Sequence, residues 1–152
     1  MRKEREGLYR ISFKHIVGTA KEVTLRDGVH VPIVVMEGSR KLVVSQIQDM
    51  PETHAERMEL MGLIGQEVAS SGKLGPLLQA FMVSEGWMST GSKDGEPHVR
   101  PSEDPDRKEV LIVAGLEIKG MRRQLRLFEM VRDEASQVVA LPELLQIGRA
   151  HV

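Results

Sequence analysis

Pro105-Asp106, followed by Glu117-Ile118-Lys119, brings together the residue types that metal-assisted hydrolysis needs. Two carboxylates can hold a divalent ion, and a lysine beside them can orient the attacking water. Glu117 and Lys119 are two apart, so on a strand they share one face. Proton transfer has other candidates. Residues 81–91, FMVSEGWMSTG, alternate like a strand and set Phe81, Val83, Glu85 and the single tryptophan, Trp87, in one row. Glu129 also falls in an otherwise apolar row. A carboxylate in such a place has a raised pKa unless it is paired, and can then act as an acid or base near neutral pH. An ion pair, or a strand end with the head group in water, explains the same placement without catalysis.

Other chemistries are less well supplied. His30, His54 and His98 have no metal-ligand spacing. No GxSxG elbow is present, and Gly72-Lys73-Leu74-Gly75 is too short for a phosphate loop. The absence of cysteine excludes disulfides, thiolate zinc sites and cysteine nucleophiles. The 152 residues suit one domain with a real core, and 41% hydrophobic with 28% charged residues is ordinary for a globular protein. A net charge of −1 lacks the usual electrostatic footprint of a nucleic-acid binder. There is no membrane-spanning apolar run and no signal-peptide core at MRKEREGLYR, so a soluble cytoplasmic protein is expected. The single domain is expected over 1–145. The last residues, QIGRAHV (146–152), resemble the in-frame translation of a sequencing adaptor and read as a non-native tail.

The elements that must position these side chains follow from periodicity. Leu8, Ile11, His15 or Ile16, Ala20 and Val23 recur at helical spacing, giving a helix from about 8 to 26 that Asp27-Gly28 ends. Val29–Met36 and Lys41–Ile47 read as two strands around a Glu37-Gly38-Ser39-Arg40 turn. Thr53-His54-Ala55-Glu56 has the capping-box pattern, opening a second helix with Met58, Met61, Ile64 or Gly65, and Val68 inward. Gln79–Ser89 is the third strand, and 90–107 is one long internal loop. Pairing 108–119 with 122–133 so that partners sum to 241 sets Glu109 opposite Arg132 and Val113 opposite Phe128. A further turn at Glu134-Ala135 returns 138–141 as the last strand of a three-stranded meander.

The expected fold is α+β: an antiparallel sheet of five to six strands in the order α-β-β-α-β-β-β-β, with two helices on one face. This order is similar to that of profilin-like and roadblock-like modules, a likeness of fold alone. Both faces of the meander are partly apolar, Val110, Ile112, Ala114 and Leu116 on one and Leu111, Val113, Phe128 and Met130 on the other. Something besides the two helices must therefore cover the second face.

The Pro105-Asp106 and Glu117-Ile118-Lys119 pattern resembles the PD-(D/E)xK signature of metal-dependent nucleases. One continuous strand over 108–118 separates Asp106 from Glu117 by roughly 36 Å, at about 3.3 Å per residue. No ion bridges that. The segment after Lys119 also reads as a strand, where those nucleases place a helix.

The reading that fits best is a non-catalytic protein-interaction module or homodimeric structural protein, whose partner is itself or another protein. Its binding candidates are Phe81, Glu85 and Trp87 in the strand row, Glu129, and the charged hairpin tip with Glu117, Lys119, Arg122 and Arg126. A small-ligand sensor is one alternative; a small metal-dependent hydrolase or nuclease using Glu85, Glu117 or Glu129 is the other. No residue pattern names a cofactor, a catalytic set or a metal ligand.

Overall fold

The structure is a computed structural model that describes residues 9–49, 51, 53–89 and 106–148. In chain order the elements are α1 (Phe13–Asp27), β1 (Ile33–Gly38), β2 (Leu42–Gln46), α2 (His54–Ser71), β3 (Leu77–Met88), β4 (Lys108–Glu117), β5 (Arg122–Glu129), β6 (Val131–Arg132), β7 (Val138–Ala140) and β8 (Glu143–Ile147). Six strands form one antiparallel sheet in the order β2-β1-β3-β4-β5-β8, and β6 and β7 form a separate ribbon. The α+β class and the two helices are as the sequence implies.

Helix α1 starts five residues later than its apolar spacing predicts, because Ser12 caps it. The Ser12 hydroxyl accepts from the His15 N–H at 3.1 Å, which satisfies one of the free donors of the first turn. Gly28, at φ 76°, closes the far end by donating its N–H to the Thr24 carbonyl. At α2, the Thr53 hydroxyl accepts from the Glu56 N–H at 3.2 Å and donates to the Glu56 carboxylate at 2.7 Å. The cap forms, with Glu56 holding the hydroxyl instead of the Thr53 backbone.

The two helices lie on opposite faces of the sheet, not on one. Ile16, Val17 and Ala20 of α1 bury against Val35, Phe81, Val83, Leu111, Val113 and Phe128. Leu60, Met61, Ile64 and Val68 of α2 pack against Val34, Met36, Leu74 and Met82. Val34 and Val35 are neighbours on one strand, so they point to opposite faces. Each helix thus takes one parity of β1 and β3. The Met58 side chain, expected in the α2 stripe, lies outside the described residues.

The β4–β5 hairpin is displaced by two from the expected register: partners sum to 239, with Leu111 opposite Phe128 and Glu117 opposite Arg122. The corner explains this. Met121 donates its N–H to the Ile118 carbonyl at 3.1 Å, and Gly120 takes φ 85° at the bend. The turn therefore occupies four residues, 118–121, in place of two. A shift of two leaves every side chain on its face, so the apolar rows survive. The expected last strand is also corrected. Val131 pairs with Ala140 and Arg132 with Val138, off the main sheet. The sixth strand is β8, within a region that overlaps the expected tail: Leu127 pairs with Leu145 and Leu125 with Ile147. The expected loop at 90–107 lies outside the described residues except for Asp106 and Arg107.

Candidate functional site

The strand row of β3 divides into core and rim. Phe81 and Val83 are buried, and the Phe81 ring stacks on Phe13 with centroids 6.3 Å apart. Glu85 is not an isolated acid: its carboxylate accepts the backbone N–H of His30. Trp87 is 44% exposed, with the Arg107 guanidinium 4.3 Å over its ring. Glu109, opposite Trp87, takes two hydrogen bonds from Arg132, at 2.7 and 2.9 Å. The Arg132 Nη2 that bonds Glu109 also donates to the Gly28 carbonyl, at 2.9 Å. Glu85 and Glu109 together thus moor the α1–β1 connection to this end of the sheet. The hydrogen bonds from Arg132 and the nearby Glu109 charge raise the Arg132 pKa further above its ordinary value.

The remaining candidates are separated. Glu129 pairs with Lys108 at 3.5 Å. Arg126 grips Glu143 of β8 with two hydrogen bonds, at 2.7 and 2.8 Å, and its guanidinium lies 5.1 Å from the Phe128 ring centroid. That grip holds the Glu143 carboxyl below its usual range. Glu117 and Arg122, the closing pair of the hairpin, approach to 4.0 Å, and Lys119 is exposed at the bend. Asp106 lies just before β4 and Glu117 at its far end, so the ten-residue strand keeps them apart. No cluster of three or more metal-ligating side chains occurs among the described residues.

Two further features remain, and only the first was not legible in the sequence. The first is an open cleft of about 670 Å³ at the N-terminal end of α1. Its apolar floor includes Ile11, Phe13, Phe81 and Leu42, and Gln79, Gln124, His15, Arg10, Glu117 and Arg122 supply polar groups. Gly115 lets the Phe13 ring settle against β4: a Cβ there would stand 2.9 Å from it. Beneath lies Glu37, fully buried. Its carboxylate accepts from the Arg10 N–H at 2.6 Å and the Gln79 amide at 2.8 Å, and that amide also donates to the Ile11 carbonyl at 2.7 Å. This bonding binds residues 10–11 across the sheet as a strap. The sequence reading placed Glu37 in a turn; it belongs to β1, and the turn begins after Gly38.

The second feature is on the opposite face. Ile112, Ala114 and Leu116 of β4 stand beside Leu125 and Leu127 of β5 and Leu145 of β8. The β4 and β5 side chains are half-buried, Leu145 is 40% exposed, and none of the six belongs to either core cluster. Helix α2 covers the β1–β3 half of this face and leaves the β4–β5–β8 half apolar and open among the described residues. No helix of the described residues is long and apolar enough to cross a membrane.

Residues 1–148 match the family model described as bacteriophage lambda protein ea47. No curated protein and no solved structure matches.

Proposed function

The chain belongs to the bacteriophage lambda protein ea47 family, and within it we propose that this is a cytoplasmic, non-catalytic interaction module that forms a homodimer. The observation that carries the reading is the open half-face with Ile112, Ala114, Leu116, Leu125, Leu127 and Leu145. An antiparallel sheet commonly has one face solvated and polar; here the row that should be polar is aliphatic. A two-fold interface sets a patch against its own copy. A patch without a charge at its centre meets that condition, because no like charges are brought together. The Lys108–Glu129 pair, at 3.5 Å, is already neutralised at the patch border.

Native mass spectrometry and sedimentation over about 1–100 μM test this. The wild type should be dimeric at the upper end. Leu116→Lys with Leu127→Lys should weaken the dimer by more than about 100-fold, since like charges across an interface cost several kcal/mol. The far-ultraviolet spectrum and α1 packing should be unchanged. A wild type that stays monomeric throughout overturns the reading.

A second reading, a small-ligand binding module, has one observation in its favour: the cleft at the α1 end, whose volume of about 670 Å³ is typical of ligand sites. Equilibrium dialysis against nucleotides and aromatic carboxylates tests it. Retention of none of them removes its support.

A further inference from the structure

The formal charge of −1 conceals an uneven distribution. The β1–β2 turn and the β4–β5 turn lie at the same end of the sheet, because Glu37 pairs with Gln79 and Gln79 with Glu117. Arg10, Arg40, Lys41, Lys119, Arg122 and Arg123 are all exposed there. The strap joins them: the Arg10 guanidinium donates to the Arg40 carbonyl at 3.0 Å. The carboxylates of these strand ends are Glu37, buried under the strap, and Glu117, beside Arg122. From Lys41 beside β2 to Arg122 on β5, the cations span four strand spacings, about 19 Å at some 4.8 Å each, while Arg123, opposite Leu116, stands on the α2 face of the same end. The cleft opens inside this band, with Arg10 and Arg122 in its wall and the half-buried Phe13 in its floor. A smaller recess of about 310 Å³ continues past Phe13 and Gln124 to Lys14 and Arg126.

We propose that this basic end of the sheet binds single-stranded nucleic acid, with phosphates along the cationic band and a base entering the cleft over Phe13. The assignment rests on reading the cleft as a ligand site and names the ligand class. A band about 19 Å long exceeds what one phosphate needs and suits a polyanion. An aromatic floor flanked by cations is the arrangement that holds unstacked bases without reading their sequence. A duplex keeps its bases stacked inside, so it would use the cations and leave the cleft empty.

The test is fluorescence anisotropy with a labelled twenty-nucleotide oligothymidylate, the same length of duplex, thymidine monophosphate as competitor, and heparin. The oligothymidylate should bind in the micromolar range at about 50 mM salt. With about four phosphates neutralised, affinity should fall about 20-fold on going to 150 mM. Lys119→Glu with Arg122→Gln should weaken binding more than about 10-fold while lowering the melting temperature by no more than about 2 °C, since the Glu117 pair it removes is a partly exposed one. Arg26→Glu, at the opposite end of α1, should leave it unchanged. Duplex or heparin binding as tightly as the single strand overturns the proposal, as does equal loss in Arg26→Glu. Thymidine monophosphate binding with no gain for the oligonucleotide overturns the nucleic-acid assignment and keeps the ligand cleft. No binding of any probe at about 100 μM removes both.

Discussion

Replacing Glu37 tests how the cleft is built. The side chain is fully buried, and its two oxygens hold the Arg10 N–H at 2.6 Å and the Gln79 amide at 2.8 Å. A hydrogen bond to a charged group contributes about 1.5–3 kcal/mol. Glu37→Ala loses both, but three effects reduce the sum. Gln79 keeps the Ile11 carbonyl as acceptor at 2.7 Å. Arg10 is exposed, so water recovers part of its N–H. Removing the carboxylate also ends the cost of burying its charge. The net destabilisation expected is about 2–3 kcal/mol, or roughly 5–10 °C in melting temperature for a chain of this size. Glu37→Gln keeps one acceptor and turns an NH2 toward a donor, so it should cost less, about 1 kcal/mol. Thermal melts followed by circular dichroism measure both. Amide hydrogen exchange should show protection lost first at Arg10 and Ile11, ahead of β3. A Glu37→Ala melting temperature within about 1 °C of wild type, or unchanged protection at Arg10, refutes the anchoring role.

Two smaller perturbations follow from the same structure. The Ser84 hydroxyl is fully buried on the α2 face with no hydrogen-bond partner among the described residues, so Ser84→Ala should raise stability by about 1 kcal/mol in urea denaturation; a loss of that size contradicts it. The Arg126 hydrogen bonds lower the Glu143 pKa in the folded protein, so the pair contributes above the unfolded carboxyl pKa and its contribution is lost as pH falls through the lower, folded one. Stability should therefore fall on the acid side of about pH 4, and Glu143→Gln should flatten that part of the curve, read by melts from pH 2 to 6.

The parts of the fold set by local chemistry were legible. Thr53 and Glu56 mark a helix start wherever they occur in that spacing, and Asp27-Gly28 marks an end. The hairpin register was not legible, because the sums 241 and 239 give the same faces and similar apolar matches. They differ only in turn length, which depends on how Gly120 and Met121 accept positive φ. Glu109 and Arg132 were matched for the right chemical reason and do form their ion pair. They do so although the ladder shifts, because the guanidinium reaches across the break after Glu129. Glu37 carried no signal at all. An acid beside Gly38 reads as a turn, and only the fold brings Arg10 and Gln79, 27 and 42 positions away, to its two oxygens. Glu85 likewise stood in an apolar row for a reason absent from the row itself: its partner is the His30 backbone.

The net charge does not describe the charge at one end of the sheet, for a related physical reason. A total weighs every ion equally, whereas a ligand meets only the charges within about a Debye length, some 8 Å at physiological salt. Here the acids are used internally or stand elsewhere. Glu85 holds a backbone donor, Glu109 holds Arg132, Glu143 holds Arg126, and Glu37 is buried. The turn cations extend past the strand ends, where no such internal role arises for most of them. Topology does the sorting: antiparallel order returns β1–β2 and β4–β5 to the same end, so two basic turns far apart in sequence become neighbours. The open aliphatic rows face the other way, with α2. A dimer built on that face leaves the cleft uncovered, and its two-fold axis provides two basic ends on one particle. Linking two weak sites in this way raises the effective concentration of the second for a strand long enough to span both.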